Sequence, residues 1–250
     1  IVQSLAYAAK QFAPAILFHV GFLQRFADNP CPNVYKYALQ IATHLEKHHD
    51  VGCAWSRDES GDFEAWHSKA DADLMPKPIW GSQPEAEVDA SWQVHDKTRR
   101  TRSTTGMIFS WCNGPIFTKS VGQRWQSINS TDAETYALSQ AMYEGIAIRG
   151  HASQFGIDQP RPTKIRSDNL AGVHVARSAA SMQRVRATAM RGVFMQECVE
   201  RGEFDPVHFK GIDNTADVLT KWLPANEYRK HRNKLCNVRA QKRVGKATTV

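Results

Sequence analysis

Between residues 85 and 224, three strand-forming runs follow one another with no helix between them, and helices and strands then alternate. The runs lie at 85–94, 104–112 and 115–121, and Gly106-Met-Ile-Phe-Ser-Trp111 is the richest in strand formers. Asn113-Gly114 predicts a tight hairpin between the second and third. Pro115 confines the third to an edge, or itself to the strand's first residue. A long helix is expected from Thr131 to Phe155, closed by Gly156, then a strand over Pro162–Asp168 and a short helix over Asn169–Ser178. Met182–Arg201 reads as helix stopped by Gly202, Phe204–Phe209 as strand, and Asp213–Leu223 as a last helix before Pro224. The order βββαβααβα implies an α/β fold, a mixed five-stranded sheet flanked by helices.

Upstream, residues 2–25 and 33–49 read as helices; in the second, Val34, Ala38, Ile41, Ala42 and Leu45 recur at helical spacing. A hairpin is expected with Gly52–Ser56 and Phe63–Trp66 around a turn-rich stretch. Pro76, Pro78, Gly81 and Pro84 mark 67–84 as a linker. With 250 residues, 42% hydrophobic and 23% charged, the chain has a globular composition and admits one large domain or two small ones. Its net charge of +7 is unevenly placed: eight Lys/Arg and no acid follow from Arg229 onward, leaving the rest at −1. That tail reads as a nucleic-acid arm or a solvated extension. Five scattered cysteines without a Cys-x-x-Cys pair point to reduced intracellular thiols, not a disulfide framework or zinc site. The apolar stretch Ala13–Leu23 is interrupted by Pro14 and His19 and is too short to span a bilayer, so no membrane partner is expected. A chain opening on Ile1 instead of Met reads as a fragment or a processed product.

Four acids carry the functional signal: Asp89, Glu134, Asp168 and Asp217. Each has an ordinary reading. Asp89 can be a strand-edge residue; Glu134 completes Thr131-x-x-Glu134, a capping box. Asp168 stands where an N-cap is routine, and Asp217 lies early in its helix, where negative charge is favourable. Yet Glu134 shares a face with Ala137, Leu138 and Ala141, and Val88 and Trp92 flank Asp89, so these carboxylates point inward at a cost unless paired or metal-bound. With the first and fourth strands adjacent, all four converge. Two divalent ions roughly 4 Å apart would relieve their repulsion and clamp a phosphodiester. Oxygen-only ligands suit magnesium.

These residues resemble the C-terminal end of the reverse transcriptase–ribonuclease H polyprotein of copia-type retrotransposons. Arg102-Ser-Thr-Thr-Gly106 resembles its Arg-Lys-Ser-Thr-Ser-Gly turn, and Ser130-Thr-Asp-Ala-Glu134 its Ser-Thr-Glu-Ala-Glu. Ser167-Asp168-Asn169 resembles Cys-Asp-Asn. Ala216-Asp217-Val-Leu-Thr-Lys221 with Leu223-Pro224 resembles Ala-Asp-Ile-Leu-Thr-Lys-Pro-Leu-Pro, the most specific of the four. Upstream, Leu5-Ala-Tyr7, Leu23-x-Arg25-Phe26 and Asn29-Pro30 resemble the segment after the polymerase palm, and no Tyr-x-Asp-Asp is present. The resemblance implies a ribonuclease H fold that uses two Mg2+ ions, with Mn2+ as a substitute, to cut the RNA strand of an RNA–DNA hybrid. It places the four metal-binding acids on Asp89, Glu134, Asp168 and Asp217. Its domains would be 1–66, a remnant of the thumb and connection region; 67–84, a linker; 85–225, the ribonuclease H domain; and 226–250, the basic tail. Partners would be the hybrid and the rest of the polyprotein, in a cytoplasmic retrotransposon particle. The family's Ser-Asp-Ala-Asp-Trp is Val-Asp-Ala-Ser-Trp here, losing an acid at Ser91, and a Lys-His-Ile-Asp-Ile-Arg stretch is reduced to Arg191 and the nearby Phe194.

Other residues are weighed alongside. His208 resembles a histidine that in some relatives aids product protonation or release; the plain alternative is a surface strand end. Lys97, Arg99, Arg100 and Arg102 form a basic loop suited to backbone phosphates, or simply a solvated one. Trp92, Trp111 and Trp125 are expected in the core. His44 and His48 lack a third zinc ligand and read as an exposed helix end; Asp71 and Asp73 mimic the first acidic motif but fall in the linker. A catalytically inactive nucleic-acid-binding or polyprotein-docking module is the alternative.

Overall fold

The computed structural model describes residues 1–29, 31–55, 83–93, 102–178 and 189–238. Five strands form one sheet: β1 (Glu85–Ser91), β2 (Thr104–Trp111), β3 (Gly114–Gly122), β4 (Thr163–Ser167) and β5 (Phe204–His208). Their order is β3-β2-β1-β4-β5. β1 and β3 run antiparallel to β2, while β4 is parallel to both β1 and β5. The mixed α/β sheet of ribonuclease H type is therefore present, with the first and fourth strands side by side. Pro115 lies on the edge strand β3, where a missing N–H is tolerated.

Both faces of the sheet are covered, which explains the unbroken apolar run in β2. Met107 and Phe109 enter a core with α4 (Ser130–Gln154), α5 (Leu170–Arg177) and α6 (Ala189–Glu200). Ile108, one residue out of phase, enters a second core with Ala216, Val218, Leu219 and Leu235. Residues 2–47 build a third core of their own. The expected helix over 2–25 is split by Pro14 into α1 (Val2–Gln11), a 3-10 turn Pro14–Ile16 and α2 (Leu17–Gln24), all packed on α3 (Pro32–Lys47).

Several expectations are corrected. The hairpin turns one residue earlier than Asn113-Gly114: Cys112 and Asn113 both have positive φ, 52° and 58°, and Trp111 pairs with Gly114. Gly114 is needed for a different reason, since a Cβ there would lie 2.4 Å from the Ala54 carbonyl oxygen. No α-helix spans 213–223; 3-10 turns occupy Gly211–Asp213 and Thr215–Leu219. The last described helix, α7 (Ala225–Leu235), lies in the stretch expected to be a basic tail, and it buries His231 and Leu235. Trp125 and Trp92 are 71% and 43% exposed, not core residues, because both lie beyond the ends of their strands. His44, expected to be exposed, is half-buried beside Tyr228. Most of the 52–66 hairpin, Asp71 and Asp73, and residues 239–250 lie outside the described residues. All five cysteines are free thiols.

Candidate metal centre

Asp89 sits next to the last position of β1's pairing with β4, opposite Gly106 of β2. Asp168 follows the last residue of β4, so adjacent parallel strands deliver both carboxylates to the same sheet edge. Glu134 reaches that edge from the first turns of α4. One carboxylate oxygen from each of Asp89, Glu134 and Asp168 lies within 4.8 Å of the others.

The ordinary readings of these acids are taken over by neighbours. Asn129 caps α4, accepting from the Asp132 N–H at 2.8 Å, while Asp132 Oδ2 accepts from Ile128 N–H; no Thr131–Glu134 box forms. Asn169, not Asp168, caps α5, through a 2.9 Å bond from the Gly172 N–H. Asn214 caps the turn bearing Asp217. Relieved of capping, the carboxylates of Glu134 and Asp168 are directed to the common centre.

Asp89 is fully buried, at 0% exposure. Glu134 Oε2 is buried as well and makes no hydrogen bond among the described residues. Burial, then repulsion from Asp89 and Asp168, pushes the Glu134 carboxyl up to about 9. Asp168 is raised by burial and by Asp89. Three mutually repelling carboxylates, one of them with an oxygen buried and unpartnered among the described residues, are the donor set a hard divalent cation would satisfy. The residues therefore fit such an ion. Gly211 helps shape the centre, because a Cβ there would lie 2.8 Å from Asp168 Oδ2.

Asp217 stands apart from this triad and joins it through Lys221. The Lys221 ammonium donates to Asp89 Oδ1 at 3.1 Å and to Asp217 Oδ1 at 2.9 Å. Thr220 Oγ1 donates to the second Asp89 oxygen. Burial and Asp89 push Asp217 up to about 6, even with Lys221 pulling the other way. Burial opposes the charge on Lys221, but Asp89 and Asp217 overcome it and raise its pKa.

The segment bearing Asp217, Thr220 and Lys221 is pinned flat on the sheet. Asn214 Nδ2 donates to the Val88 carbonyl at 3.0 Å, and Glu87 Oε2 accepts from the Thr215 N–H at 2.7 Å. Ser120 Oγ donates to the Leu219 carbonyl at 2.6 Å. Gly106 permits the approach: a Cβ there would meet Thr220 Cγ2 at 2.6 Å and Leu219 Cβ at 2.8 Å.

His208, exposed at the end of β5, has Nε2 3.1 Å from the Asp168 carbonyl oxygen. It thus borders the centre. Arg102 is half-buried beside Gly122, whereas Lys97, Arg99 and Arg100 lie outside the described residues. Thr220 and Lys221 were not singled out as site residues by sequence reasoning. The Asp217-x-x-x-Lys221 spacing was the available signal.

Comparison with known proteins places this geometry in context. The chain is 22% identical over 227 residues, 91% of its length, to the retrovirus-related Pol polyprotein from transposon TNT 1-94 of Nicotiana tabacum. It is 25% identical over 94% of its length to the corresponding polyprotein from transposon RE1 of Arabidopsis thaliana. It spans only 15% and 14% of those polyproteins. A secreted RxLR effector protein of Plasmopara viticola is 25% identical over 58% of the chain and matched across 86% of its own length. No protein-family model and no solved structure matches. Among the described residues no helix is long and apolar enough to cross a membrane.

Proposed function

We propose that the chain is the ribonuclease H portion of a retrotransposon polyprotein and hydrolyses the RNA strand of RNA–DNA hybrids. One observation carries the reading: carboxylate oxygens of Asp89, Glu134 and Asp168, from three separate elements, lie within 4.8 Å of one another, and Glu134 Oε2 is buried and unpartnered among the described residues. Similarity to plant transposon Pol polyproteins over most of the chain supports the same reading.

When bound, a pair of magnesium or manganese ions supplies an activated water and charge stabilisation for the departing 3′ oxygen. The chain's residues do the positioning. Asp89, common to both halves of the centre, holds its place through the rigid pairing of β1 with β2 and β4. Glu134 and Asp168 complete one half and Asp217 the other. His208, bordering Asp168, is placed to pass a proton to the product or to assist its release. Arg102, with Lys97, Arg99 and Arg100 preceding it in sequence, would hold backbone phosphates. The proposed setting is a cytoplasmic retrotransposon particle.

The test is a cleavage assay on three duplexes. With Mg2+ or Mn2+ the chain should degrade RNA annealed to DNA while sparing RNA–RNA and DNA–DNA. Hybrid binding with no cleavage under either metal would instead identify a nucleic-acid-binding module.

A further inference from the structure

We propose that Lys221 is a resident counter-ion for the Asp89–Asp217 half of the centre, so that this half accepts a divalent ion only when the lysine withdraws. The inference rests on the metal-centre reading above and adds an order of filling to it.

The two halves are not equivalent. In the Asp89–Glu134–Asp168 half, one carboxylate oxygen is buried without a partner among the described residues. In the Asp89–Asp217 half, both acids are already bridged by one ammonium, at 3.1 and 2.9 Å. A buried carboxylate is costly unless paired, and Asp89 has one donor on each oxygen, Lys221 on one and Thr220 on the other.

An ammonium and a divalent ion compete for the same oxygens. The ammonium sits at hydrogen-bond distance, whereas magnesium requires contacts of about 2.1 Å. Both cannot serve one Asp89 oxygen and one Asp217 oxygen together. Lys221 is 37% exposed and carried on a flexible stem, so it can swing to solvent while the backbone stays pinned by Ser120 and Asn214. The first ion can be held by Glu134 and Asp168, which no ammonium contacts among the described residues, with Lys221 disturbed only at the shared Asp89. The second must displace the lysine ammonium, and it should bind more weakly.

Mn2+ binding to the full chain, read by electron paramagnetic resonance and calorimetry, tests this without reference to activity. Wild type should bind one ion tightly and a second at least tenfold more weakly. Lys221→Met should tighten the second by tenfold or more and the first by clearly less, whereas Lys221→Arg should stay close to wild type. Adding Asp217→Asn to Lys221→Met should remove the second ion. Thermal unfolding guards against simple misfolding: Lys221→Met should melt lower than wild type without Mn2+ and recover when it is added. A second ion that binds equally well in wild type and Lys221→Met overturns the inference while leaving the centre intact. If neither protein binds Mn2+, the metal-centre reading itself fails, and the inference with it.

Discussion

Asp89 depends on two groups that follow one another in sequence, and the dependence can be measured on each. Thr220→Val keeps the shape but leaves a buried carboxylate oxygen without its donor, which should cost about 1–3 kcal/mol in urea denaturation. Asp89→Asn should leave the sheet intact. It should lower hybrid cleavage by more than the roughly 10- to 100-fold typical of losing a partner outside the ligand set; wild-type rates in that variant would remove Asp89 from the mechanism. Asp89, Glu134 and Asp168, the three acids that come together, stood out in sequence by local pattern: an acid within an apolar strand, one in a helix's first turns, one just after a strand. The helix-start explanations of Glu134, Asp168 and Asp217 could be dismissed only once Asn129, Asn169 and Asn214 were seen doing the capping. Lys221 stayed hidden for a different reason: its importance comes from Asp89, on the opposite side of the sequence.

At the level of elements, Gly106 decides how closely the Thr215–Leu219 turn can lie on β2. Gly106→Ala drives a Cβ into Thr220 and Leu219, so it should destabilise by about 1–3 kcal/mol and weaken Mn2+ binding together. Gly21, inside α2 with nothing within 4 Å of its would-be Cβ, is the control: Gly21→Ala should stabilise by up to about 1 kcal/mol. Unchanged melting and Mn2+ affinity in Gly106→Ala would show that the turn does not need this close seat. The strands were readable because their periodicity and breakers are local. The hairpin slipped by one residue because Gly114 advertised a turn while serving the approach of Ala54 and Trp55. Helix α7 escaped notice because its exposed face is so basic that the few buried side chains, His231, Arg232 and Leu235, gave no stripe.

Across the whole molecule, the N-terminal helices dock around the Trp222 indole and, through Ala15 and Leu17, onto the core beneath Ile108. Phe18, His19, Phe22 and Tyr37 surround Trp222 with ring centroids 5.1–5.3 Å away, and Arg25 donates to Thr104 at 3.1 Å. Trp222→Ala should split a single urea transition into two, one for residues 1–55 and one for the sheet; a single unchanged transition would place the coupling elsewhere. Tyr37 hydrogen-bonds His19 Nδ1, and burial, then His44, holds His19 down to about 4 from 6.5. Above pH 6.5 the imidazole is neutral whether folded or not. Between 6.5 and 4 only the unfolded chain takes up the proton, so stability falls with falling pH across that window. The total is on the order of 3 kcal/mol. His19→Phe should flatten this part of the curve, and an identical slope in both proteins would exclude His19 as its source. The docking also sets a timetable for biosynthesis. Phe18 and Phe22 leave the ribosome two hundred residues before Trp222 is translated, so their apolar faces meet that indole only after most of the sheet has been synthesised.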